Sequence, residues 1–169
     1  MPEPSPSSDP KSHPDSEFAQ GMTGACNCGS ITVTIKDPNL FTTRRGHICH
    51  CLNCRKTSGS YAASNLAIEK EKVTIEDRNG TLKEYNDSGT MSGTPIGRWF
   101  CSTCGNPIKS ESSVTGPMVI LKTGIFPRIP APESESFGAH RHAWEPFIPG
   151  VTVYKIARGK EKLEDAPEV

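Results

Sequence analysis

Three groups of closely spaced cysteines constrain this chain more than any other feature. The central group is Cys49-His50-Cys51-Leu52-Asn53-Cys54, with Cys26-Asn27-Cys28 before it and Cys101-Ser102-Thr103-Cys104 after it. Short turns of this kind can aim neighbouring sulfurs at one point about 2.3 Å away, which is the zinc–sulfur bond length. The spacing therefore predicts metal binding. Zinc is the usual metal of sulfur-rich tetrahedral sites, and an iron–sulfur cluster is the alternative.

The seven cysteines divide into a group of four and a group of three. Two pairs that close on each other make one complete site, for which we expect the ligands Cys26, Cys28, Cys101 and Cys104. The remaining three cysteines, Cys49, Cys51 and Cys54, then form a second site. A zinc with four thiolate ligands is structural, whereas a zinc with three protein ligands keeps a position for water or substrate and is typical of enzymes. The unequal division therefore favours an enzyme.

The fourth position of the second site has an alternative reading. His47 and His50 lie beside or between the three cysteines, and either imidazole is a suitable zinc ligand. If one of them fills the position, both sites are closed and structural. We consider this the less favoured reading, because His50 would have to turn back towards a metal that its two neighbours already hold.

Composition indicates that metal helps to hold the fold together. The chain has 169 residues, of which only 34% are hydrophobic, with 15 glycines and 15 prolines. Such a chain builds one modest core. A structural zinc contributes roughly 10–16 kcal/mol of apparent binding free energy in zinc-finger peptides, which is comparable with the net stability of a whole domain.

Charge and hydropathy exclude some classes of function. Lys plus Arg and Asp plus Glu both number 19, so the formal net charge is zero and a nucleic-acid binder is disfavoured. The first residues lack the basic and apolar regions of a signal peptide, and no apolar run is long enough to span a bilayer. We therefore expect a cytoplasmic protein without disulfides. The sequence does not predict the oligomeric state.

The pattern of apolar residues predicts a mainly β fold of antiparallel sheets in a single domain. Ile31, Val33 and Ile35 alternate with polar residues, as in a half-buried strand. Further strands are expected at residues 61–68, 72–76, 81–85, 95–100, 117–124 and 151–154, with a tight turn at Asn79-Gly80. Residues 1–20 are predicted to be a disordered arm, residues 21–157 the zinc domain, and residues 158–169 a charged tail.

Several residues outside the cysteine groups are candidates for the site. Arg55, Lys56 and Arg98 lie close to cysteine ligands in sequence and are candidates to receive a substrate carboxylate. The alternative is that they offset thiolate charge or are simply exposed. Trp144 lies in a loop bounded by prolines and is a candidate to line the substrate site. His142 is a candidate proton carrier, because an imidazole titrates near neutral pH. Exposure in a surface loop is the alternative for His142.

The three motifs together closely resemble the glutathione-dependent formaldehyde-activating enzyme family, also called the CENP-V/GFA domain. The resemblance rests on Cys26-X-Cys28-Gly29, on Cys49-His50-Cys51-X-X-Cys54-Arg55-Lys56, and on Arg98-X-Phe100-Cys101-X-X-Cys104-Gly105. It implies a zinc-stapled β-tent fold, with a structural zinc on the group of four cysteines and a catalytic zinc on the group of three. Phe126 stands where family members often carry an acidic residue.

The family implies condensation of glutathione with formaldehyde, which is classed as a carbon–sulfur lyase reaction. We therefore predict a zinc-dependent enzyme with two zinc ions that acts on a thiol adduct or a small carbonyl compound, with glutathione as a candidate co-substrate. The alternative is a zinc-stapled binding module without catalysis, which holds a protein or chromatin partner. The group of three cysteines and the zero net charge favour the enzyme.

Overall fold

The computed structural model describes residues 13–164, and in this part of the chain it contains eleven strands and one α-helix. The strands are β1 (Gly21–Ala25), β2 (Ile31–Lys36), β3 (Gly46–Cys49), β4 (Ala63–Glu69), β5 (Val73–Asp77), β6 (Leu82–Asp87), β7 (Ile96–Cys101), β8 (Pro107–Ser112), β9 (Met118–Lys122), β10 (Pro132–Ser136) and β11 (Thr152–Val153). The helix, α1 (Leu52–Ser58), lies between β3 and β4. The prediction of a mainly β, single-domain fold is confirmed.

The strands form two sheets. A three-stranded antiparallel sheet has the order β1-β2-β5, and an eight-stranded sheet has the order β11-β10-β3-β4-β9-β8-β7-β6. Most pairs in the larger sheet are antiparallel, as expected. However, β10 pairs in parallel with both β3 and β11, which the alternation of residues could not indicate.

The apolar core lies between the two sheets. Ile31, Val33 and Ile35 of β2 are almost fully buried, and the polar residues between them face outward. From the larger sheet, β4 contributes Leu66 and Ile68, and β9 contributes Val119 and Leu121. The alternation of buried and exposed residues along these strands matches the two-residue period that the sequence shows. The second face of the larger sheet is therefore free to carry polar groups.

The Asn79-Gly80 turn is present, with Gly80 in the left-handed region at a φ of 65°. It does not form a simple hairpin, because β5 belongs to the smaller sheet and β6 pairs with β7 in the larger one. Asp77 supports the turn by accepting hydrogen bonds from the backbone N–H groups of Thr81 and Leu82, at 2.9 and 2.8 Å. This turn therefore carries the chain from one sheet to the other.

The structure corrects the predicted arm of residues 1–20 at its end. Phe18, in a 3-10 turn over Asp15–Phe18, is only 6% exposed and belongs to the core. Its ring lies 5.6 Å from that of Phe41, and the Arg128 guanidinium lies 4.2 Å from its centroid. One large aromatic side chain gains enough on burial to order a short segment that is otherwise polar. Residues 1–12 lie outside the described residues, so the prediction for them is not tested.

The described part of the charged tail returns to the domain. Tyr154 and Lys162 form an antiparallel bridge, and the Leu163 N–H donates to the Val153 carbonyl at 2.9 Å. The side chains of this segment are mostly exposed. Residues 165–169 lie outside the described part.

No helix within residues 13–164 has the length and the apolar character that crossing a bilayer requires.

We predict that Phe18→Ala lowers the free energy of unfolding by about 3 kcal/mol, because it removes a buried ring from a core that Phe41 cannot refill. Denaturant unfolding of the full chain measures this change. Ser16→Ala, an exposed substitution in the same turn, is the matched control and should change stability by less than about 0.5 kcal/mol. Equal stabilities of the two variants would show that the turn does not stabilise the fold.

Candidate metal centres and active site

Four cysteines from the two sheets meet at one point. Cys26 and Cys28 lie in the turn between β1 and β2, Cys101 ends β7, and Cys104 lies in the turn before β8. Their four sulfurs all lie within 4.8 Å of one another, and Cys28 Sγ is 3.5 Å from Cys26 Sγ and 3.6 Å from Cys101 Sγ. Four ligands at about 2.3 Å from a tetrahedral zinc are about 3.8 Å apart. The donor set and its spacing therefore fit a closed metal site.

The surroundings of this four-cysteine site shift the pKa values of its thiols in opposite directions. The Ile31 N–H donates to Cys26 Sγ at 3.3 Å, and the Thr81 hydroxyl lies 3.6 Å from Cys101 Sγ. Burial raises the pKa of Cys26 to about 12, whereas the hydrogen bond with the Ser30 hydroxyl lowers the pKa of Cys28 to about 6. A metal that binds here must displace the protons that remain, so its affinity should fall in acid.

The three remaining cysteines form a second group at the start of α1. Cys49 ends β3, Cys51 is the N-cap of α1, and Cys54 lies in the first turn of the helix. The Cys54 N–H donates to Cys51 Sγ at 3.4 Å, so the cap of the helix also sets the direction of a ligand. The three sulfurs lie within 4.8 Å of one another. This three-cysteine site also fits a metal.

His50 does not supply a fourth ligand, because each of its two ring nitrogens lies next to a carboxylate. His50 is 2% exposed, and its Nε2 lies 2.9 Å from Glu135 Oε2. Its Nδ1 lies 3.0 Å from Glu145 Oε2, close enough for an ion pair but not aligned for a hydrogen bond. His47 is also engaged, with Nε2 2.8 Å from Ser136 Oγ. Within residues 13–164, the second group holds three cysteines and no further donor.

Glu135 is the centre of a buried polar cluster that the sequence did not reveal. It is fully buried on β10, and it accepts from both His50 and Arg141. Burial raises the pKa of the Glu135 carboxyl, but the hydrogen bond from His50 and the charge of Arg141 outweigh it and lower the pKa. Arg141 also donates to the carbonyls of Glu145 and Pro146, at 3.1 and 2.7 Å. The cluster therefore ties the segment after β10 to the cysteine loop.

A cavity of about 150 Å³ lies against the three-cysteine site. Cys49, Cys54, His47, Asn65, Arg98 and Lys122 are among the residues that line it. A second cavity of about 190 Å³ shares Cys54 and Lys122 with the first and adds Thr57, Ser58, Ser64 and Asn106. Both cavities thus reach the same cysteine and the same lysine. The two cavities therefore offer room for small molecules beside Cys54 and Lys122.

The register of the larger sheet explains how these residues meet. Across three neighbouring strands, His47 is opposite Asn65, and Asn65 is opposite Lys122. Arg98 is opposite Ser110 on the next two strands. These positions alternate with core residues such as Leu66 and Leu121, so their side chains belong to the other face of the sheet. The face turned away from the core therefore carries the polar wall of the cavity.

Arg98, which the sequence suggested as a substrate ligand, lies in this wall. Its Nε donates to Asp87 Oδ2 at 2.7 Å, and Asn53 Nδ2 donates to the same oxygen at 2.8 Å. Burial lowers the pKa of Arg98, but the hydrogen bond with Asp87 and the negative charge of Cys54 outweigh it and raise the pKa. Hydrogen bonds with Cys49 and Cys51 lower the pKa of Cys54, and the charges of Lys122 and Arg98 lower it further. The surroundings of Cys54 therefore favour its thiolate form.

The other predicted substrate residues lie outside the two cavities. His142 and Trp144 are exposed, with their rings stacked at 5.6 Å, and the Trp144 ring meets that of Tyr61 at 5.3 Å. Arg55 Nη1 lies 2.7 Å from His142 Nε2, and Lys56 is exposed on α1. The structure thus gathers Arg55, His142 and Trp144 beside the helix that carries Cys54. Their roles in substrate binding and proton transfer stay predictions.

Phe126, which the family resemblance singled out, is a core residue. It is 7% exposed, and a Cβ atom placed on Gly24 would come within 2.6 Å of its ring. No carboxylate reaches the cavities from this position. The residues that the sequence did not suggest for the site are Lys122, Asn65, Asp87 and Glu135. The one local signal was Lys122, a charged residue at the end of the most apolar run in the chain.

We predict that Cys101→Ser and Cys49→Ser differ in kind. Loss of a ligand from the four-cysteine site should lower the free energy of unfolding by several kcal/mol, because that site joins the two sheets and metal binding there is coupled to folding. Cys49→Ser should keep the fold and lose one equivalent of metal. Thermal unfolding and metal analysis of both purified variants measure these effects. Equal destabilisation would contradict the division into a structural and an open site.

We predict that Glu135→Ala lowers the free energy of unfolding by about 3–5 kcal/mol, because it leaves His50 and Arg141 buried without their shared carboxylate. Denaturant unfolding measures the loss. Glu133→Ala is a matched control two residues earlier on β10. Glu133 pairs with the half-exposed Arg158, and such a pair should contribute no more than about 1 kcal/mol. A loss in Glu135→Ala as small as in the control would show that the buried cluster adds nothing to stability.

Comparison with known proteins agrees with the motifs. A search of curated proteins found no significant match. Among solved structures, a crystal structure of a Rhodobacter sphaeroides protein from a structural genomics programme is 22% identical, covering 62% of this chain and 86% of that one, with a TM-score of 0.48. The sequence model described as "Glutathione-dependent formaldehyde-activating enzyme" matches residues 21–145, which include all seven cysteines. The chain belongs to the glutathione-dependent formaldehyde-activating enzyme family.

Proposed function

We propose that this protein is a zinc-dependent carbon–sulfur lyase that forms or cleaves the bond between a thiol sulfur and the carbon of a small carbonyl compound. The observation that carries this proposal is the three-cysteine site, which faces two cavities and has no fourth ligand from the described residues. Membership of the family supports the same class of chemistry.

The donor set fits zinc in both sites, since four thiolates suit a structural zinc and three suit a zinc with a free position. Cys26, Cys28, Cys101 and Cys104 would hold the first ion, and Cys49, Cys51 and Cys54 the second. When bound in the second site, zinc would offer its free position to a thiolate sulfur and would hold that sulfur close to the carbon with which it reacts.

The residues around the second site favour an anionic sulfur. Arg98 and Lys122 place two positive charges beside Cys54, and both side chains are less than a tenth exposed. In such a buried site, charges act more strongly than they do in water. Because the Nε of Arg98 donates a hydrogen bond to Asp87, this guanidinium should keep its position when a ligand enters the cavity. The chain therefore supplies a fixed positive environment for a thiolate.

The size of the cavities limits what enters them. At about 150 and 190 Å³, each is smaller than the roughly 300–1,000 Å³ of pockets that hold drug-sized ligands. A small aldehyde and the sulfur end of a thiol fit this space. The remainder of a tripeptide thiol such as glutathione would lie outside, and Arg55 and Lys56 on α1 would receive its carboxylates. Trp144 and Tyr61 lie beside that helix and offer apolar contacts.

We predict that the zinc-loaded protein contains two zinc ions per chain and accelerates exchange between formaldehyde and its glutathione adduct. Exchange NMR on the formaldehyde carbon, compared with a reaction without enzyme, measures the rate. Cys49→Ser should retain one zinc and lose the acceleration. A wild-type chain with a single zinc and no acceleration would overturn the proposal and favour a zinc-stapled binding module.

A further inference from the structure

Lys122 is a buried cation in the wall of both cavities. Its side chain is 6% exposed, and its Nζ donates to Asn65 Oδ1 at 2.7 Å. An ammonium group has three donors, so one hydrogen bond to Asn65 leaves two for other groups. In the part of the chain that the structure describes, no carboxylate lies within ion-pair distance of Lys122, in contrast to Lys70, Lys72, Lys109 and Lys155. Its charge is therefore not cancelled by an acid.

The position of the ammonium is well defined. Lys122 on β9 is directly opposite Asn65 on β4, and the Asn65 amide group donates to the Ala63 carbonyl at 3.1 Å. This bond turns the amide oxygen of Asn65 towards Lys122. Leu121, the preceding residue, is fully buried on the opposite face and anchors the strand in the core. Burying a charged lysine costs stability through desolvation, unless a negative group lies close enough to compensate for that cost.

Two negative groups are available to Lys122. The first is the pair Cys49 and Cys54, which line the same cavity. Burial lowers the pKa of Lys122, and the negative charge of Cys54 acts against this shift. The second is any anion that enters the cavity. Arg98 differs from Lys122 in this respect, since Asp87 already balances its charge at 2.7 Å. Lys122 is thus the cation in this wall that is free to bind an incoming oxygen.

We infer that Lys122 is a catalytic residue, whose ammonium binds the carbonyl oxygen of the substrate and stabilises the negative charge that develops on it. The inference rests on the proposed function, because it assigns the oxygen-binding group for that reaction. The substrate class that it implies is a small aldehyde or its thiol adduct, with the oxygen one carbon away from the sulfur. Donors that are fixed in place before the reaction stabilise such oxyanions without reorganisation.

The reaction balances without any proton transfer to or from Lys122. In adduct formation, the thiolate sulfur gives an electron pair to the carbonyl carbon, a carbon–sulfur bond forms, and the π pair of the carbonyl moves onto oxygen. The oxygen then takes up one proton from solvent, equal to the proton that the thiol released. In cleavage the oxygen loses that proton, the carbonyl forms again, and the sulfur leaves with the bonding pair. Lys122 stays protonated and stabilises the oxyanion in both directions.

The first test compares Lys122→Met with wild type and with Lys83→Met, a control on an exposed position of β6. We expect kcat for adduct exchange to fall roughly 10²–10³-fold in Lys122→Met, which is the effect of removing one oxyanion donor. KM for the thiol should change little, two zinc ions per chain should remain, and Lys83→Met should behave as wild type. Unchanged kcat in zinc-loaded Lys122→Met would overturn the inference.

The second test measures binding without turnover. Mercaptoacetate carries a carboxylate close to its sulfur, whereas 2-mercaptoethanol carries a neutral hydroxyl. Calorimetric titration of the zinc-loaded wild type should give a preference for mercaptoacetate of roughly tenfold or more, from a hydrogen bond between charged groups. Lys122→Met should lose this preference and keep its affinity for 2-mercaptoethanol. An equal preference in both proteins would contradict the assignment.

Further outcomes separate the inference from its alternatives. If Lys122→Met does not fold, Lys122→Gln removes the charge but keeps a donor for Asn65, and the same losses are expected of it. If a neutral variant loses one zinc while its loaded fraction turns over at the wild-type rate, Lys122 serves metal retention and the inference is wrong. If wild type itself gives no acceleration, the proposed function fails first, and the wild-type reaction shows this without any variant.

Discussion

The meeting of four cysteine sulfurs between the two sheets is the constraint on which the rest of the structure depends. Cys26 and Cys28 come from the turn that begins the smaller sheet, and Cys101 and Cys104 come from the larger one. A metal held there joins the sheets at one end of a core that is built largely from β2, β4 and β9. In a chain that is only 34% hydrophobic, the binding free energy of such a metal would compensate for a modest apolar core.

The two faces of the larger sheet have different roles, because one face packs in the apolar core and the other lines the cavity. Leu66 and Leu121 face the smaller sheet, while their neighbours Asn65 and Lys122 face the cavity. A shift of one residue in the register between β4 and β9 would exchange the two sets. The core that holds the fold thus also aligns the polar wall, and a metal in the four-cysteine site would protect that alignment by joining the two sheets.

The second group of cysteines has no histidine ligand, because carboxylates hold the ring of the histidine that lies between the cysteines. Two carboxylates, Glu135 and Glu145, engage the ring of His50 and hold it in the protein interior. The same cluster, through Arg141, fixes the segment that brings His142 and Trp144 over α1. Cys49 and Cys54 line the same cavity as Arg98 and Lys122, two cations that the larger sheet contributes. Buried acids and bases around the site thus determine both its ligand count and its electrostatics.

The sequence alone determined the two cysteine groups, their division into four and three, and the mainly β fold, because local spacing and a two-residue period carry that information. It also suggested Arg98. It did not predict that Phe18 packs into the core, since a single aromatic in a polar segment shows nothing of its partner Phe41. Lys122, Asn65 and Glu135 lie on three different strands, far apart in the chain, and only strand register and the parallel pairing of β10 with β3 place them around one site. Contacts of this kind depend on which strands become neighbours, which the tertiary structure decides when the two apolar faces pack together.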